Sequence, residues 1–200
     1  QPSVGLWNLN ALATSLTSLI SNEELINALK QYEPEFLNQY RNIMARKIGL
    51  EESQPVNKES QPEDEALINQ LLELLQTNNV DYTIFFRSLG EYSKDNKILR
   101  DQFLDRQGFD SWGDKYLQRL EQQTTTDQQR QGNMSAVNPK YILRNYMAQT
   151  AIESAYQGDY SEVNLMLEIL QNPFDEHPQA DQYAGPPPDW AEKISVSCSS

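Results

Sequence analysis

Glu63-Asp64-Glu65-Ala66-Leu67-Ile68-Asn69-Gln70-Leu71-Leu72-Glu73-Leu74-Leu75 is the stretch that decides the fold class. Its six leucine and isoleucine side chains recur at three- and four-residue steps, which puts them on one face of a helix. The acids at its start suit the positive end of a helix dipole. Asn78-Asn79 breaks it, and Asp81 then caps a helix in which Tyr82, Phe85, Phe86 and Leu89 share a face. Upstream, Leu9, Leu12, Ala13, Leu16, Leu19 and Ile20 keep the same period. Ser21 and Glu24 form a capping box, and Leu25, Leu29, Tyr32, Phe36, Tyr40 and Ile43 follow. Pro34 predicts a kink or two short helices there, and Gly49 a stop.

Downstream, a charged helix is expected around Asp95–Asp105, ended by Gly108. Another runs from about Asp110 to Gln122 with Trp112, Tyr116, Leu117 and Leu120. The Gln-rich residues 122–135 read as a solvated linker or frayed helix. Asn138 is expected to cap a helix opened by Pro139, with Leu143, Met147, Ala151 and Ala155 on its face, ended by Gly158. Asp159 and Glu162 open the last helix, whose stripe is Val163, Met166, Leu167 and Leu170, and Asn172-Pro173 stops it. The expected fold class is all-α, a helical bundle. A helical pair over 1–49, an exposed loop over 50–62, a helical core over 63–172 and an irregular tail over 173–200 make one domain or lobe.

The formal net charge of −13 and pI near 4.4 disfavour nucleic acid and anionic membrane as partners. No apolar run reaches the ~18 residues a bilayer span needs. The opening, Gln1-Pro2-Ser3-Val4-Gly5-Leu6-Trp7, has no signal-peptide character, so a cytoplasmic chain is expected. It also lacks an initiating Met, which predicts a fragment of a larger protein. One cysteine, Cys198, and one histidine, His177, exclude an internal disulfide and a structural zinc site. They read as an unrelated thiol and a surface imidazole.

No phosphate-binding glycine loop, no nucleophile elbow and no H-E-x-x-H occurs. Leu99-Arg100-Asp101 is similar to a kinase H-R-D but lacks the His and the downstream Asn, so Arg100 and Asp101 read as a solvated face. The carboxylate pairs Glu23/Glu24 and Glu51/Glu52 and the run Glu63–Glu65 read as surface charge rather than an acid–base pair. Catalytic, cofactor-binding and metal residues are therefore expected to be none. Trp190, after Pro186-Pro187-Pro188-Asp189, reads as a plug that docks the tail, with a peptide offered to a partner as the alternative.

Three segments carry a resemblance: Gln1-Pro2 with Gly5-Leu6-Trp7-Asn8-Leu9 and Leu12-Ala13; Val137 to Tyr146, running on through Ala148-Gln149 to Gly158-Asp159-Tyr160; and Asn172-Pro173-Phe174-Asp175-Glu176, Tyr183-Ala184, Pro187-Pro188-Asp189-Trp190 and Ser197-Cys198-Ser199-Ser200. Their order and spacing resemble the C-terminal portion of the selenoprotein O family, in a cysteine-containing form. The resemblance is weak over residues 50–135. It implies a kinase-like fold of which this chain is the C-terminal lobe and extension. It further implies AMP transfer from ATP to protein hydroxyl groups with magnesium. The nucleotide-binding and catalytic residues would lie on a missing N-terminal lobe, which with the protein substrates would be its partners. Cys198 matches the family's terminal thiol and is the one possible redox residue. The alternatives are a stand-alone helical interaction module presenting its Pro-rich tail, and a thiol redox protein built around Cys198.

Overall fold

The computed structural model describes residues 2–51, 61–93 and 97–194. Every regular element among them is helical, so the chain is all-α. It divides into two compact units, residues 1–45 and 46–200.

The first unit contains α1 (Pro2–Ser15), α2 (Asn22–Leu29) and most of α3 (Tyr32–Lys47). The α1 stripe ends earlier than its period suggests, because the chain turns at residues 16–19. The capping box at α2 forms as read, with Ser21 accepting from the Glu24 N–H. Pro34 sits in the first turn of α3, where its missing N–H costs nothing, so it yields two helices rather than a kink. Neither α1 nor α2 buries a residue. Trp7, Leu12, Leu19, Ile26 and Ile43 all stand in solvent.

The second unit holds a true core. Its helices are α4 (Gln61–Thr77), α5 (Tyr82–Ser88), α6 (Lys97–Arg100), α7 (Arg106–Leu120), α8 (Asp127–Ser135), α9 (Asn145–Tyr156) and α10 (Ser161–Gln171). Helix α7 lays Phe109, Trp112 and Tyr116 along one face, all fully buried. Trp112 stacks on Tyr116 with ring centroids 4.9 Å apart, and its indole N–H donates to the Leu67 carbonyl of α4 at 3.0 Å. Phe85 meets Phe103 and Phe109 edge-on. Edge and stacked aromatic pairs of this kind add stability beyond the area they bury.

Several local expectations give way to tertiary contacts. Gly108 does not end a helix; it lies in the first turn of α7, donating its N–H to Asp105 at 2.9 Å, and Asp105 is the cap. Of the linker or frayed helix expected at 122–135, residues 127–135 form a helix, α8, opened by a Thr126/Gln129 capping box and held rather than frayed by buried Arg130 and Met134. Asn138 caps nothing, and the chain stays irregular to Arg144. The exposed stripe of α10 includes Val163 and Leu167, while Ile169 is buried with Met166. The tail is more regular than expected, with 3-10 turns at Pro178–Tyr183 and Asp189–Lys193. Ala180 and Tyr183 dock it against α9 and α10. The loop expected at 50–62 falls mainly on residues 52–60, outside those described.

Gly49 ends the run after α3 at φ +72°, a region disfavoured for residues with a Cβ. A Cβ there would also stand 2.6 Å from the Met134 sulfur and 2.8 Å from Arg130 Cγ. Gly158 has φ +85° but open space around it. Gly158→Ala should cost about 1 kcal/mol and Gly49→Ala about 2–3 kcal/mol. Urea midpoints measure the difference; equal losses would show that the Met134 and Arg130 contacts yield freely.

Candidate functional site

The most elaborate polar constellation surrounds the irregular segment 138–144. Without a helix, its backbone groups need other partners. The Pro173 carbonyl and the Arg87 guanidinium supply some of them, and charged side chains also bond the side chains of the segment. Lys47, at the end of α3, donates to Asn138 Oδ1 at 3.1 Å, and Asn138 Nδ2 returns a bond to the Lys47 carbonyl at 2.8 Å. The Lys47 ammonium also lies 5.6 Å from the ring centres of Tyr82 and Phe86. Burial holds its pKa below the ordinary lysine value. Arg87 of α5 donates to the Ser135 and Asn138 carbonyls at 2.9 and 3.0 Å and to Glu176 at 2.9 Å. Glu176 also receives Lys140 at 2.6 Å, and Lys140 reaches Asp181 at 2.8 Å. The Pro173 carbonyl accepts from the Lys140 and Tyr141 N–H groups. Arg144 pairs with Asp81 at 2.7 Å.

Within the second unit, this network ties Lys47, α5, the 138–144 segment and the tail together. Its cations are already bonded to carbonyls and carboxylates, so it works as a frame. Lys140 and Arg87 hold the Glu176 carboxyl below its usual range. A lowered carboxyl pKa stabilises the fold above the unfolded value, near 4.5, and that contribution disappears as pH falls through the lower folded value. Glu176→Gln should therefore lower the urea midpoint at pH 7, by an amount that shrinks below about pH 4.5 and vanishes once the carboxyl protonates. A pH-independent difference would mean that shape, not charge, matters at this position.

A cleft of about 270 Å³ is lined by Arg46, Glu51, Thr125, Arg130 and Asn133 among others. Arg130 is buried, with Nη2 3.2 Å from Asp127 and Nη1 3.5 Å from the Tyr116 hydroxyl. Glu51 accepts from the Thr125 hydroxyl and N–H and from Thr124. These bonds, the Thr125 hydroxyl first, hold its carboxyl low. Both charges are spoken for within the fold.

The residues singled out in the sequence are scattered. Glu24 serves its capping box, which lowers its pKa through Ser21. Asp64 is not surface charge: it is 7% exposed and forms a two-pronged pair with Arg119 at 2.7 and 3.1 Å. Arg100 grips Asp110, and Asp101 pairs with Arg106, on the surface. His177 is not a surface imidazole. It is buried edge-on against Tyr141, with Nε2 3.0 Å from the Asn172 carbonyl. Trp190 meets Tyr146 edge-on at 6.0 Å but stays 52% exposed, so it docks the tail only in part. Glu52 and Cys198 lie outside the described residues. Among the described residues, no group of three or more His, Cys, Asp or Glu side chains could hold a metal ion. No helix there is long and apolar enough to cross a membrane.

Sequence reasoning missed Lys47, Arg87 and Asn138 as a unit, because their partners lie far apart along the chain. The one available signal was an Asn-Pro followed by a poorly helical Lys-Tyr-Ile-Leu-Arg stretch.

Residues 1–171 match the sequence model of the family described as protein adenylyltransferase SelO. The chain is 47% identical to a protein nucleotidyltransferase YdiU of Pseudomonas fluorescens (strain Pf0-1) over 203 aligned residues. It is 44% identical to one of Herminiimonas arsenicoxydans and 42% identical to one of Pseudomonas aeruginosa (strain LESB58). Each alignment covers all of this chain and 40% of the relative.

Proposed function

The chain belongs to the family of protein adenylyltransferase SelO, and from that premise we propose that it is the C-terminal helical lobe and tail of a kinase-like enzyme that moves AMP from ATP onto protein hydroxyl groups. The observation that carries the reading is the family match over residues 1–171 together with relatives named for nucleotidyl transfer. ATP and magnesium belong to that activity. The described residues do not fit a magnesium site, since Asp64, Asp81, Asp110 and Glu176 are each engaged by a lysine or arginine. A phosphoryl-transfer site needs free basic groups and metal carboxylates, and the Lys47, Arg87 and Lys140 ammonium and guanidinium groups are bound within the frame. The reading therefore places nucleotide and metal on the part of the enzyme beyond the 40% of relatives' length spanned here. The open apolar side chains of the first unit, Trp7, Leu12 and Ile26 among them, suit burial against that part. The reading also gives Cys198, through its closing motif, the role of a regulatory thiol.

Transfer from α-labelled ATP with magnesium tests the reading. Label on protein is expected with an enzyme of the relatives' full length and none with the 200-residue chain. Label from the chain alone would place a nucleotide site within these helices. Label from neither would remove AMP transfer from the account.

A further inference from the structure

Two kinds of contact hold the tail, and they divide at Tyr183. From Pro173 to Tyr183 the polar bonds reach other elements. Lys140 binds Glu176 and Asp181, Arg87 binds Glu176, and the Tyr183 hydroxyl donates to Glu162 at 2.6 Å. From Ala184 to Ile194 the hydrogen bonds among the described groups are all local. Each runs from a backbone N–H, at Ala184, Ala191 or Ile194, to the carbonyl three positions back. What seats this stretch is apolar: Ala184, Ala191 and Ile194 rest against the cluster built on α9 and α10, and Trp190 meets Tyr146 edge-on. The seat is incomplete. Trp190 is half exposed, and a cleft of about 650 Å³ is lined by Pro186 and Pro187 of the tail and by Val80, Asp81 and Ile84 around the start of α5.

Beside this stretch lies a polar atom that the fold leaves unsatisfied. Tyr146 is 6% exposed, and its hydroxyl is buried without a hydrogen-bond partner. The tail's Tyr183 and Trp190 rings stand 6.3 and 6.0 Å from its own. Burial raises the pKa of this phenol, and the Arg144 guanidinium draws it back in part. A phenol regains hydrogen bonds to water when its cover lifts and forfeits them when the cover closes. The closed tail therefore carries a cost that the open tail does not. That cost falls where the tail has only apolar holds, and such segments open before the rest of a fold does.

We propose that residues 184–194 are a strap that lifts from α9 as a unit, turning at Ala184–Gly185 while residues 173–183 stay clamped, and that the unpaired Tyr146 hydroxyl sets how readily it lifts. Open space surrounds the turning point, since a Cβ at Gly185 would meet nothing within 4 Å. The strap is a property of this chain's own fold and does not rest on AMP transfer.

Amide exchange followed by NMR on the 200-residue chain tests it. The Ala191 and Ile194 N–H groups are bonded within the strap, and the Ala180 N–H is bonded within the clamped part. Ala191 and Ile194 should be protected at least tenfold less than Ala180. Tyr146→Phe keeps the ring and removes only the hydroxyl. It should raise the protection of Ala191 and Ile194 about tenfold and leave Ala180 unchanged. Trp190→Ser, at a half-exposed site, should lower the protection of Ala191 and Ile194 and again leave Ala180 unchanged. Equal protection at all three amides of the unaltered chain overturns the proposal, because the tail would then open as one body. Unchanged or weaker protection of Ala191 and Ile194 in Tyr146→Phe overturns it too, because the hydroxyl would then be satisfied in the closed tail. So does a shift that Ala180 shares in either variant, which would mark a change in overall stability.

Discussion

Trp112→Ala is expected to lower the unfolding free energy of the second unit by about 3–5 kcal/mol, the range for deleting a large buried aromatic side chain. Trp112 is fully buried between Phe109 and Tyr116, with ring centroids 5.8 and 4.9 Å away. Its loss opens a cavity at the centre of the ring cluster. It also leaves the Leu67 carbonyl without the indole N–H that now reaches it at 3.0 Å. Tyr116 would feel the loss at once, because it packs flat on Trp112 while its hydroxyl holds the Ile48 carbonyl at 2.7 Å. Guanidinium unfolding followed by circular dichroism measures the effect. A loss under 1 kcal/mol, on the scale of an ordinary surface substitution, would mean that the rings close over the gap.

The second large effect concerns Asp64 and Arg119. Their side chains are 10% and 15% exposed, and the carboxylate takes two parallel bonds from the guanidinium. Removing one member of a buried pair strands the other's charge, so Asp64→Ala should cost about 3–5 kcal/mol. Replacing both, as Asp64→Leu with Arg119→Met, should recover most of that loss, because neither charge then needs a partner. Denaturation midpoints of the two single variants and the double variant form a cycle. A double variant as unstable as the sum of its singles would mean that the two residues act independently, against the geometry.

These two sites differ in how far the sequence announces them. Trp112 and Tyr116 are one helical turn apart, so their burial can be read from spacing alone. Asp64 sits in an acidic first turn that suits a helix dipole, and nothing local distinguishes it from Glu63. Only α7, packed alongside α4, brings Arg119 to it from 55 positions away. The same contrast separates the two expected helix caps Asp81 and Asn138. An Asx side chain at a helix start can bond a backbone N–H three residues on, and Asp81 does so at Ile84. Asn138 had the same local opportunity, but Lys47 and Arg87 bind the segment instead, and the helix waits until Asn145. The frame around residues 138–144 was not legible in the sequence, where Asn138 reads as a helix cap. The ammonium and guanidinium groups that frame residues 138–144 come from α3 and α5, and no short pattern records that meeting.

The sequence by itself determined the all-helical class, the capping box at Ser21, the stops at Gly49, Gly158 and Asn172-Pro173, the acidic balance and the family. Each of these depends on residues within a few positions of one another, or on composition, where backbone sterics and hydrogen bonds to neighbours dominate. Tertiary structure decided that residues 127–135 are a helix, that Asp64 and His177 are buried, and which stripe of α10 faces inward. Those outcomes rest on burial and ion pairing between distant segments. Such contacts outweigh local preferences of less than about 1 kcal/mol per residue and exist only once the chain has folded.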